Sequence, residues 1–143
     1  MTRADWIGLL GRAAPGALRE RMEALGSLPE PDWLRRPETG TVMVRGRAGG
    51  TGAPFNLGEV TATRCALRLD GAEGHALVQG RDALHATAAA QVDALLQGPR
   101  ADEVRTAVLV PLATAETARR AARAAKAEAT RVDFETMVRG EDA

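Results

Sequence analysis

The chain reads as an α+β protein: an antiparallel meander of three or more strands packed with N-terminal helices and with two longer helices in its C-terminal half. Three observations predict this. Apolar and polar residues alternate with period two in TVMVRGR, EVTATRCALRL and HALVQG, the signature of strands with one covered face. The links between these segments are a glycine-rich loop and the tight-turn string DGAEG, which suit antiparallel neighbours. Apolar residues recur at helical spacing on both sides of the strand block.

Ala4 to Leu25 reads as helix, with Trp6, Leu9, Leu10 and Ala13 on one stripe and Leu18, Met22 and Leu25 continuing it. Pro15 interrupts it. Proline disrupts a helix interior but opens a new helix well, so a kinked pair or helical hairpin is expected over residues 1–28. SLPEPDW then reads as a turn-rich connector. In the first strand, Thr41–Arg47, Val42 and Val44 share one face and Thr41, Met43 and Arg45 the other. In the second, Glu59–Leu69, Thr61, Thr63, Cys65, Leu67 and Leu69 share a face, opposite Val60, Ala62, Arg64, Ala66 and Arg68.

After HALVQG the period changes. Asp82 is a natural N-cap for a helix reaching Gln97, with Leu84, Ala88, Val92, Leu95 and Leu96 as its stripe. AVLVPL is too short for periodicity to decide between a strand and a buried turn. Thr114–Thr130, rich in alanine, is a strong helix with Thr114 as its expected cap, and the thin face Ala118, Ala122, Ala125 and Ala129 lets another backbone come close. No repeat or low-complexity linker divides the 143 residues, so one domain over 1–143 is expected, with residues 131–143 as a tail.

Composition excludes several functions. Nineteen basic residues balance nineteen acidic ones, so no net field attracts nucleic acid or an anionic membrane. Two Phe, two Trp and no Tyr leave few platforms on which bases stack. A single cysteine makes neither an internal disulfide nor a thiolate zinc site. No apolar run approaches the roughly 20 residues that span a bilayer. The early Asp5 and the lack of a long apolar run speak against a signal peptide, and a soluble cytoplasmic protein is expected.

The loop RAGGTGAPFNLG, Arg47–Gly58, carries four glycines and a phenylalanine. It lacks the lysine of a P-loop, and it leads into a strand where a dinucleotide fingerprint leads into a helix. A nest of amides beside Arg45 and Arg47, a partner's contact surface, and a long turn needing positive φ angles all stay open. His75 and His85 have no His or Cys at metal-ligand spacing, and the expected reading is an ordinary surface or hydrogen-bonded histidine. Cys65 falls on the apolar face of a strand, the setting of a buried structural thiol, and no nucleophile elbow is present. Arg119, Arg123 and Lys126 form a solvated helix face, with Glu116 within reach of Arg119 or Arg120. The tail places Val132, Phe134, Met137 and Val138 where it either packs on its own domain or docks on another chain.

Three strings together resemble a known family. RPETGTVMVRGRAGGTGAPFNLGEVTATRC (Arg36–Cys65), GHALVQGRD (Gly74–Asp82) and RVDFETMVRGE (Arg131–Glu141) are similar to PhnG, a subunit of the bacterial carbon–phosphorus lyase system. The resemblance runs from about Trp6 to the end. It implies assembly with PhnH-, PhnI- and PhnJ-like subunits, and functionally with a PhnL-like protein, into a higher-order hetero-oligomer for phosphonate breakdown. It implies a part in transferring ribose 5-triphosphate from MgATP to a phosphonate with release of adenine, the chemistry residing in the PhnI-like partner. MgATP is then a substrate of the complex, with no cofactor, metal or catalytic residue belonging to this subunit alone. On that reading Arg45, Arg47, Gly49, Gly50, Thr51, Gly52, Phe55 and Asn56 form a contact loop, with phosphate contact as the alternative. Arg131, Asp133, Phe134, Met137 and Arg139 form a second interface. Glu135 departs from the second aromatic expected after Phe134.

Overall fold

The computed structural model describes residues 1–131. They fall into two units, Met1–Ala113 and a segment that begins at Thr114. The first unit opens with helix α1, Arg3–Arg12. Thr2 and Asp5 cap it reciprocally: Asp5 N donates to Thr2 Oγ1 and Thr2 N donates to Asp5 Oδ2, which satisfies two of the donors a helix start leaves unpaired. Trp6, Leu9 and Leu10 form its buried stripe, as the spacing predicts. Pro15 is the first residue of α2, Pro15–Met22, so the proline opens a helix. A short 3₁₀ turn, Glu23–Leu25, closes the pair.

Three strands follow: β1 Asp32–Arg47, β2 Pro54–Leu69 and β3 Ala72–Gln79. They form one antiparallel sheet in the order β1-β2-β3, the predicted meander. Asp70 and Gly71, both at positive φ (50° and 79°), make the β2–β3 turn, a geometry whose twist matches that of the paired strands. β1 begins at Asp32, nine residues before the expected Thr41. SLPEPDW and Pro37 concealed it, because proline reads as a strand breaker. An edge strand tolerates it, and Pro37 falls in a register irregularity between Arg35 and Glu38.

Helix α3, Ala83–Leu95, covers one face of the sheet, and Asp82 caps it by accepting from His85 N at 2.9 Å. Cys65, Leu67, Leu69, Ala76 and Val78 face it from β2 and β3. The approach is very close at Gly74, where a Cβ would collide with the carbonyl oxygen of Ala90. Leu84, expected on the buried stripe, is 64% exposed. Its place inside is taken by His85 and Ala86: a helix so near the sheet leaves room for alanine, and the stripe turns to present its small residues. Leu10, Leu18, Leu67 and Leu109 are fully enclosed, each contributing about 2 kcal/mol by removal from water.

AVLVPL is neither strand nor turn. A short helix α4, Ala101–Val104, runs through a π turn, Arg105–Leu109, into α5, Val110–Ala129. Val104, Val108, Leu109 and Leu112 are buried at helical spacing, and core packing overrides the strand preference of the valines. The wider π turn lies just before Pro111, which cannot donate to the ordinary ladder. Thr114 is therefore inside α5, not at its cap. In the second unit the helix is exposed from Thr117 onward, including Ala118, Ala122, Ala125 and Ala129. A Glu116–Arg120 pair at 3.2 Å and the bonds of Thr130 Oγ1 to the Lys126 and Ala127 carbonyls tie its own turns.

Candidate functional site

β1 and β2 are both twice as long as β3. The last bond from the β3 side is Gly80 N to Thr61 O, 2.8 Å. Beyond it the pairing of β1 with β2 continues through Val42↔Val60 and Val44↔Gly58 to Arg47↔Pro54, so the outer part is a two-stranded ribbon about 20 Å long. A β-bulge interrupts it. Val44 pairs with Gly58 and Arg45 with Asn56, which leaves Leu57 as the extra residue. Bulges re-aim side chains, and Leu57 is 62% exposed, its methyls resting 3.0 Å from where a Gly46 Cβ would be. Met43 (48%) and Phe55 (45%) are exposed on the same ribbon.

The base of the ribbon is fastened. Thr63 Oγ1 donates to Gly80 O at 2.7 Å, so the Thr39 hydroxyl, 3.0 Å away, donates to Thr63 Oγ1. One hydroxyl chain thus crosses all three strands. Beside it an open groove of about 530 Å³ has apolar walls from Val42, Val60, Ala62 and Leu77, with Arg12 and Asp82 also lining it.

At the tip, Ala48–Gly50 form a 3₁₀ turn with Gly49 and Gly50 in the left-handed region (φ 61° and 82°). The loop closes on itself: the Thr51 and Gly52 amides both donate to Ala48 O, and Arg47 Nη1 donates to Gly52 O at 3.4 Å. Arg45, Arg47, Gly49, Gly50, Thr51, Gly52, Phe55 and Asn56, the predicted contact loop, are thereby all brought to the ribbon's outer end. Arg131 is exposed and lies 3.6 Å from Glu128. Asp133, Phe134, Met137 and Arg139 lie outside the described residues.

The opposite edge of the sheet holds a site that the sequence reading missed. Asp93, on α3, is completely buried. Its carboxylate accepts from Trp6 Nε1 (2.8 Å), from Arg3 Nη2 (2.8 Å) and Nε (3.2 Å), and from the backbone amide of His75 (2.9 Å). Arg3 Nη2 and Gln97 Nε2 both donate to Glu73 O. Two outward-facing groups of β3, the Glu73 carbonyl and the His75 amide, are thus capped by side chains, and α1 is bolted to α3. Asp93 had one signal: it is the sole carboxylate on an otherwise uncharged, alanine-rich helix.

His85 is buried and its Nε2 donates to Leu10 O at 2.7 Å, a second tie between α1 and α3. Cys65 is buried, its thiol donating to Ala86 O at 3.3 Å, and burial pushes its pKa up to about 11. A thiol held neutral is a poor nucleophile. His75 is half exposed beside Glu73 at 3.6 Å. Among the described residues no three His, Cys, Asp or Glu side chains are grouped to hold a metal, and no helix is long and apolar enough to cross a membrane.

By fold and site the chain falls in a class of α+β proteins whose sheet is capped internally along one edge and runs out into a bare apolar ribbon at the other. A family model described as "Phosphonate metabolism protein PhnG" matches residues 1–140. The chain is 44% identical, over 141 residues covering 98% of its length and 90% of the relative's, to the "Alpha-D-ribose 1-methylphosphonate 5-triphosphate synthase subunit PhnG" of Rhizobium meliloti (strain 1021). The chain belongs to the PhnG family.

Proposed function

We propose that this chain is an obligate subunit, without a catalytic centre of its own, of a cytoplasmic complex that transfers ribose 5-triphosphate from MgATP to a phosphonate and releases adenine. PhnH-, PhnI- and PhnJ-like subunits are its partners in a hetero-oligomer, and a PhnL-like protein acts with them. The observation that carries this reading is the exposure of Met43, Phe55 and Leu57 on a two-stranded ribbon. Such a ribbon is marginal by itself, and large apolar residues exposed along it suit a contact surface. The relative's description as a synthase subunit supports the same assembly. Co-expression with the neighbouring subunits tests it. The double variant Phe55→Asp, Leu57→Asp keeps its fold and loses co-purification; recovery of an intact complex with that variant overturns the reading. Phe134→Asp tests the tail as a second interface in the same assay.

A second reading has Arg45, Arg47 and the glycine loop touching substrate phosphate. Two guanidinium groups beside the left-handed Gly49 and Gly50 at one tip favour it. Titration of the isolated chain with MgATP separates the two: binding that Arg45→Ala and Arg47→Ala abolish supports phosphate contact, and no binding supports the ribbon as a protein-contact element.

A further inference from the structure

The hydrogen-bond parity of the sheet fixes which main-chain groups of β1 face outward. Thr61 O accepts from Gly80 N, so the odd-numbered residues of this part of β2 point toward β3. The even-numbered ones, Val60, Ala62 and Arg64, point toward β1, where they meet Val42, Gly40 and Glu38. The N–H and C=O groups of Thr39, Thr41 and Met43 therefore face away from the sheet. Every residue from Thr39 to Met43 is exposed, and no described strand lies beyond them. Register irregularities blunt the strand on both sides, before Glu38 and after Val44, but this stretch is regular. At the β3 edge Asp93, Arg3 and Gln97 take up the His75 amide and the Glu73 carbonyl; this one, among the described residues, presents a bare row of donors and acceptors, the template for strand addition.

Its flanks define the occupant. Arg35 and Arg36 precede the bare stretch and Arg45 and Arg47 follow it, against one acid, Glu38, in a loose exposed pair with Arg35 at 3.5 Å. A second copy of β1 fits badly: antiparallel pairing on the bare stretch brings the Arg35–Arg36 end of one copy toward the Arg45–Arg47 end of the other. Like charges at such positions oppose pairing. We propose that the outer edge of β1 from Thr39 to Met43 receives an extended strand of a different polypeptide, with carboxylates on both sides of a short uncharged centre. This deepens the subunit reading and rests on it for the source of that polypeptide.

Amide hydrogen exchange tests it in two arms. In the complex made by co-expression with the neighbouring subunits, the Thr39, Thr41 and Met43 amides exchange at least about tenfold more slowly than in the isolated chain, as new backbone hydrogen bonds require. Thr41→Pro, which removes an outward N–H without touching the β2 ladder, lowers assembly by a similar factor. On the isolated chain, a short acetylated peptide of alternating threonine and valine with paired glutamates at each end slows the same three amides; its lysine-ended counterpart does not. A complex that forms while those amides exchange as fast as in the free chain overturns the proposal and leaves the subunit reading standing. Glutamate- and lysine-ended peptides of equal effect, or neither acting at millimolar concentration, overturn the charge assignment and with it the proposal. Slowing in a homodimer of the isolated chain overturns the choice of a different polypeptide. Absence of any assembly, with the glutamate peptide still acting, overturns the subunit reading and keeps the edge.

Discussion

The two edges of one small sheet are finished in opposite ways. Along β3, a buried carboxylate on α3 collects an indole, a guanidinium and a backbone amide, and the neighbouring carbonyl takes two more side-chain donors. Along β1, no described strand covers the outer side of Thr39–Met43, and the strand runs out into a ribbon carrying exposed apolar residues. At the first edge the Glu73 carbonyl and the His75 amide are satisfied from within. At the second no described strand lies beyond β1, and the difference sets the internally fastened edge apart from the edge proposed for contact.

The largest effect should come from breaking the finished edge. Asp93→Ala leaves the Trp6 Nε1, the His75 amide and Arg3 without their acceptor and should cost about 3 kcal/mol, read as a lower urea midpoint. A change below about 1 kcal/mol would mean that water replaces the carboxylate and that the hub is dispensable. Next comes Gly74→Ala, which drives a methyl into the Ala90 carbonyl; forcing β3 and α3 apart should cost about 2 kcal/mol. At the open edge the comparison reverses. Phe55→Asp with Leu57→Asp should shift stability by no more than about 0.5 kcal/mol while abolishing co-purification with partner subunits. Equal destabilisation by the Asp93 and ribbon variants would erase the distinction between the edges.

Two smaller effects sharpen it. Cys65, with its pKa raised by burial, should react with a thiol reagent at pH 8 only at the rate of unfolding; rapid labelling of the native protein would place the α3–β2 interface among the mobile parts. Asp5 and Glu103 are held below the usual carboxylate range, Asp5 by the Thr2 amide and hydroxyl and Glu103 by Arg100. A depressed folded-state pKa gives stability that is complete above the unfolded value and is lost as pH falls through the folded one. Both carboxylates are exposed, so the loss below the ordinary carboxylate range should be slight. A pH-resolved melting series, compared with Asp5→Asn, checks the sign.

What the sequence disclosed was what neighbouring residues decide. Pro15 opens α2, Asp82 caps α3, and Asp70–Gly71 turn the hairpin, each from chemistry confined to a few positions. Alternation correctly assigned Cys65, Leu67 and Leu69 to one buried face. The misses all depend on distant partners. Asp93 looks like a stray charge until Trp6, Arg3 and His75 arrive from elsewhere in the chain. The valines and proline of AVLVPL imitate a strand until burial of Val104, Val108 and Leu112 draws them into a helix. The early part of β1 looks like a connector because edge strands accept the proline and charge that central strands reject. The glycine-rich loop was legible as composition. Its self-bracing by Arg47 and the Ala48 carbonyl was not, since that needs the loop's closed path.

The hydroxyl chain from Thr39 through Thr63 to Gly80 acts as the fulcrum of a lever. Three strands are pinned where the third one ends, and Gly80 stands two residues before the Asp82 cap of α3. A force applied at the ribbon tip therefore meets a clamped root, like that of a beam. A beam clamped at its root has less conformational freedom to lose if its tip is seized. Thr63→Val keeps the shape of that root and cuts the pin, turning the beam into a hinge.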